Sequence, residues 1–109
     1  MYGWLVELRR HHRVPFTEPV VIVANGSDKR AQAQSTDISL GGMFIETTTS
    51  EAFGADIMIH VHFPGEPSAF ALPGIVRWTG SEGMGVQFGL LGAKETYAIT
   101  ELVAAYDKK

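Results

Sequence analysis

Arg9, Arg10 and Arg13, with His11 and His12 between them, fill five consecutive positions of a 109-residue chain whose net charge is −3. A guanidinium can fork two N–H groups onto a phosphate or onto the O6/N7 edge of a guanine, and it can lie flat on a base. Two arginines four residues apart in an extended segment stand up to roughly 13 Å from each other. Arg9 and Arg13 can therefore grip an anion from two sides, with Arg10 as a third contact. The histidines would add positive charge at mildly acid pH, although filler in a loop is their plainer reading. By itself the run reads most simply as a solvated basic loop.

Two further clusters change that balance. The turn "DISLGG" holds Asp37, Ser39, Gly41 and Gly42. A carboxylate there accepts N–H donors, a serine donates or accepts, and glycines allow close backbone approach and φ values closed to other residues. Taken alone, this is a turn in which Asp37 or Ser39 caps the backbone. Trp78, in "GIVRW", is either core or barrel-mouth packing or a platform on which a base stacks. His60 and His62 share a strand face without a third ligand at suitable spacing, so they read as surface and not as a metal site. No nucleophile elbow or carboxylate pair is present, which argues against an enzyme.

These residues need a scaffold. The length suits one domain over residues 1–109 with a single core, and 45% apolar and 19% charged residues describe a globular chain. Twelve glycines and five prolines imply many turns. "VVIVA" (20–24) reads as a buried strand, followed by an Asn25-Gly26 turn in which both residues tolerate positive φ. A half-exposed strand is expected from Lys29 to Ile38, then "MFIE" from Met43 to Glu46. From Ile57 to Phe63, residues Ile57, Ile59, Val61 and Phe63 alternate with Met58, His60 and His62. Phe70 to Trp78 is a strand with a bulge or bend expected at Pro73-Gly74, and "MGVQFG" is the last strand. Ile99, Leu102, Val103 and Tyr106 then form one face of a helix over 93–106. Six short strands and one helix predict a small antiparallel barrel or sandwich, its open end or edge covered by the helix.

With Arg9 and Arg13 in the form R-x-x-x-R, and Asp37, Ser39 and Gly42 in the form D-x-S-x-x-G, followed by "GIVRW" and "GMGVQFGLL", the chain resembles the PilZ domain family from Arg9 to about Tyr106. The resemblance implies an all-β fold, a six-stranded antiparallel β-barrel with a C-terminal α-helix, that binds the bacterial second messenger cyclic di-GMP. It also implies which residues bind: Arg9, Arg10 and Arg13 on phosphates and guanine edges, Asp37, Ser39, Gly41 and Gly42 as the floor, and Trp78 as a stacking aromatic. The ligand would be cyclic di-GMP, with no cofactor and no metal. Binding would order the loop over 9–16 and reposition the N-terminus, passing the signal to a downstream protein.

The other readings are an adaptor with this fold that works without nucleotide, and a barrel that binds single-stranded nucleic acid. The last needs a basic groove with several exposed aromatics, whereas this chain concentrates its basic charge in one loop. A net-negative chain is also poorly suited to coating DNA or RNA. The absence of cysteine fits a reducing compartment, no apolar run approaches a membrane span, and the order of apolar and basic residues at the start is the reverse of a signal peptide. The expectation is a complete cytoplasmic protein. Residues 1–8, "MYGWLVEL", are apolar where this family is often polar. They must be covered by packing on the barrel, by strand pairing, or by a homodimer or partner contact.

Overall fold

The computed structural model describes residues 12–107. Among them run seven strands and one helix: β1 (Val14–Pro15), β2 (Pro19–Ala24), β3 (Arg30–Ile38), β4 (Gly42–Glu46), β5 (Asp56–Val61), β6 (Phe70–Gly80), β7 (Gly83–Phe88) and α1 (Ala93–Asp107). All pairings are antiparallel, in the order β1-β3-β2-β5-β6-β7-β4, and a further β3–β4 pairing closes the sheet into a barrel of six strands. Because β4 occupies one edge of β3, β1 and β2 share the other edge in succession. β1 is the strand that the sequence does not announce, since two residues are too few to show a period. No helix among the described residues is long and apolar enough to cross a membrane.

Alternation fills the barrel. Val20 and Ile22 of β2, Met43 and Ile45 of β4, Ile57, Ile59 and Val61 of β5, and Met84 and Val86 of β7 all point inward and are buried. Phe63 ties Phe16 and Phe70 together, with ring centroids 5.3 and 5.2 Å apart. Helix α1 covers this end: Ile99 joins the core, Leu102 and Val103 pack on it, and the Lys94 ammonium lies 5.5 Å over the Phe70 ring. Tyr106, expected on the buried face, is 45% exposed.

Three local expectations need correction. Only Gly26, and not Asn25, takes a positive φ in the first turn. The bulge on β6 lies not at Pro73-Gly74 but between Val76 and Trp78. Pro73 keeps its place in the ladder opposite Met58. A strand residue's N–H and C=O point the same way, and the Pro73 carbonyl accepts the N–H of Gly89 just beyond the end of β7. The N–H that proline lacks thus costs only a terminal rung. Finally, neither Gly41 nor Gly42 has a positive φ. Gly42 is required by proximity: a Cβ there would collide with the Val86 carbonyl oxygen of β7. Gly83 meets the Ile45 carbonyl of β4 in the same way, at the other end of the β4–β7 pairing.

A second bulge lies on β3, between Ser35 and Asp37, opposite the gap between β1 and β2. Ser35 closes that gap. Its fully buried hydroxyl donates to the Phe16 carbonyl and accepts the Glu18 N–H at 3.1 Å, while its own N–H donates to the Glu18 carbonyl at 2.9 Å. Ser35→Ala should cost about 1–3 kcal/mol by stranding those groups, read as a lower midpoint in chemical denaturation. Gly42→Ala should cost about 1–3 kcal/mol through overpacking, lowering the melting temperature by roughly 4–20 °C. Unchanged melting of Gly42→Ala would show that β4 and β7 can part without loss.

Candidate functional site

Strand registers set one lateral row across the outside of the barrel. Pro15 of β1 pairs with Asp37 of β3, Asp37 with Phe44 of β4, Phe44 with Gly85 of β7, and Gly85 with Trp78 of β6. The row faces outward because Phe44 lies between the inward Met43 and Ile45, and Gly85 between the inward Met84 and Val86. Two of its members owe this direction to the bulges. Strict alternation would place Asp37 on the same face as the buried Ser35, and Trp78 on the same face as the buried Val76. The extra residues, Thr36 and Arg77, turn both side chains out.

Gly85 lets the aromatic residues on either side meet. Without a side chain between them, the Phe44 and Trp78 rings lean together over the glycine, 5.6 Å apart and tilted by 44°. Gly85 is buried under them. Beside Trp78, the guanidinium of Arg77, the extra residue of the bulge, donates through Nε to Gln87 Oε1 at 2.8 Å. Phe44 belongs to the candidate site, and sequence reasoning missed it. Its signal was present: an aromatic at the outward position of "MFIE", facing a glycine of "MGVQF".

At the other end of the row, Asp37 and Arg13 line a shallow open depression with Val14, Pro15 and Thr36. Asp37 Oδ1 is buried and has no hydrogen-bond partner among the described residues. Burial raises the Asp37 pKa, while the Arg13 charge and the Phe44 N–H pull it back down. Arg13 itself is exposed. The neighbouring His12 Nε2 lies 2.7 Å from Asp107 Oδ1 at the end of α1, which attaches the approach to the site to the helix.

The turn after Asp37 is self-contained. Ser39 is fully buried, and its Oγ accepts the N–H groups of Gly41 at 3.0 Å and Gly42 at 3.2 Å. Its own N–H donates to the Gly42 carbonyl at 2.8 Å, and the Gly41 carbonyl takes the Phe88 N–H at 2.9 Å. Ser39 and the two glycines thus shape the turn and bind it to β7. Arg9 and Arg10, with His11 and the apolar segment 1–8, lie outside the described residues. His60, on the outer face of β5, and His62 belong to no group of three or more potential metal ligands among the described residues.

The fold has clear counterparts. The family described as the PilZ domain matches residues 7–105. No curated protein matches the sequence. Among solved structures, the PilZ domain of CeSA from a cellulose-synthesizing bacterium superposes with a TM-score of 0.70 at 18% identity, covering 88% of this chain and 98% of that one. The Bacillus subtilis inhibitor of motility (MotI/DgrA) gives 0.76 at 18% identity, over 92% of this chain and 51% of its own. The PilZ domain of YcgR from Escherichia coli, solved with c-di-GMP, gives 0.71 at 14% identity over 92% of each chain. A barrel of six closed strands, one added strand and one C-terminal helix, matched over residues 7–105, makes this chain a member of the PilZ domain family.

Proposed function

We propose that this chain is a receptor for cyclic di-GMP, without catalytic activity, that acts in the cytoplasm and relays the signal by contact with a downstream protein. The observation that carries the reading is the buried, unpartnered Asp37 Oδ1. A buried acceptor without a donor is uncommon in a folded protein and needs a reason. The N1–H and N2–H₂ edge of guanine supplies donors of the right kind, and Arg13 stands beside it for a phosphate or for the O6/N7 edge. Trp78, on the same outward row and tilted against Phe44, is the aromatic that would stack on a purine. Arg9 and Arg10 complete the clamp from the preceding segment. Ser39, Gly41 and Gly42 serve the ligand through the shape of the turn.

An adaptor that works without nucleotide is the second reading, and one observation favours it. Ser39 and Gly42 are both explained by the fold alone, so such an adaptor would keep them. Asp37 and Arg13 have no comparable duty in the barrel, which makes them the residues that separate the two readings.

Calorimetric titration with cyclic di-GMP should give binding for the wild type and a loss of roughly 10–100-fold for Asp37→Asn and for Arg13→Ala, the range of a hydrogen bond to a charged group. No heat with the wild type at high micromolar ligand would overturn the receptor reading. Ligand-free stability adds a check with a definite sign. Burial raises the Asp37 pKa in the folded state, so the folded chain holds that proton more tightly than the unfolded chain. Ionised Asp37 therefore costs stability at neutral pH, and the cost fades as pH falls through the raised pKa. Asp37→Asn should melt above the wild type at pH 7, and the gap should close as the solution is acidified.

A further inference from the structure

We infer that Arg77 reads one guanine of cyclic di-GMP at its O6/N7 edge and so sets the choice of guanine over adenine at the Trp78 end of the row, an inference that rests on the receptor reading. The row runs from Asp37 on β3 to Trp78 on β6 across β4 and β7, three strand spacings or roughly 14 Å. Its two ends are far enough apart for one base each, and the ligand carries two guanines. Asp37 accepts from the N1–H and N2–H₂ edge of the first. The second needs a reader of its own, because stacking on an aromatic ring tolerates any base.

Arg77 is placed for that task. As the extra residue of the β6 bulge it follows the buried Val76 and stands beside Trp78, and its Nε donates to Gln87 Oε1 on β7 at 2.8 Å. Gln87 lies two residues along β7 from Gly85, the glycine over which the indole leans towards Phe44. Guanidinium and indole are therefore anchored roughly 7 Å apart on one outward face. Gln87 also pairs with Gly42, which puts the guanidinium on the side of the row where the turn over 39–42 lies.

The guanidinium is also short of partners. Arg77 is half-buried, and burying part of a charge is costly unless polar groups face it. Among the described residues it has one such group, the neutral amide oxygen of Gln87, and no carboxylate. With Nε engaged, the two terminal nitrogens still form a planar fork of N–H donors. Guanine offers that fork two acceptors, O6 and N7, whereas adenine sets an N6–H₂ donor beside its N7. The fork therefore fits guanine and opposes adenine. Glutamine, with one donor group and one acceptor, fits adenine instead.

Calorimetric titration of the full chain with cyclic di-GMP, and with the hybrid cyclic dinucleotide of one guanine and one adenine, tests this. The hybrid can keep its guanine on Asp37 and set its adenine at Trp78. The wild type should prefer cyclic di-GMP by roughly 10–100-fold, the discrimination of one forked contact. Arg77→Gln, confirmed as folded by circular dichroism, should cut that preference by about tenfold or more. Arg77→Lys keeps the charge and the stem but not the fork, so it should lose the preference too, and it stays informative if Arg77→Gln fails to fold. No heat from the wild type with cyclic di-GMP overturns the receptor reading itself. A wild type that binds cyclic di-GMP, with its preference unchanged in Arg77→Gln, overturns the role of Arg77 alone. Full preference in Arg77→Lys overturns that role as well, since a point charge, as on a phosphate, would then suffice.

Discussion

Side chains on a strand alternate between two faces, and in a closed barrel one of those faces is the core. Every functional side chain must therefore occupy an outward position or be moved to one. Here two single-residue slips, at Thr36 on β3 and Arg77 on β6, do the moving. They bring a carboxylate and an indole out of phase with Ser35 and Val76 and into one row, with Phe44 and Gly85 between them. The rest of the site depends on these slips. Without them Asp37 would be a charge in the core, which folding would not tolerate unless it were paired or neutralised.

Each slip has a local answer. On β3 it leaves the shared edge of β1 and β2 out of step, and the Ser35 hydroxyl, with two backbone bonds, supplies what a regular ladder would have supplied. That answer also positions the chain just after the arginine run, since Val14 and Pro15 pair with Ile38 and Asp37. The irregularity that aims the carboxylate and the strand that leads in the cations are therefore one construction. On β6 the extra residue, Arg77, is occupied by Gln87 on the neighbouring strand.

Much of this was legible in the residues. The alternation from Ile57 to Phe63 and the stripe from Ile99 to Val103 are strong periodic signals, and the structure has a strand and a helix there. Glycine was the harder letter. In "DISLGG" it suggested an unusual φ, whereas Gly42 answers to a carbonyl on a strand more than forty residues away, a contact that no local pattern records. The bulges were misplaced for a related reason. Pro73-Gly74 carries the local signs of a break, yet the register shift arises where β6 must follow β7, at Val76-Trp78. Ser35 gave no signal at all, being one serine in a polar strand until the fold sets Phe16 and Glu18 against it.

The contact between His12 and Asp107 joins the first and the last of the described residues. As an exposed pair it adds little to stability, and its importance is geometric. Whatever precedes residue 12 and whatever follows residue 107 leave the barrel at one corner. Through this contact a displacement of His12 would reach Asp107 directly, without crossing the core.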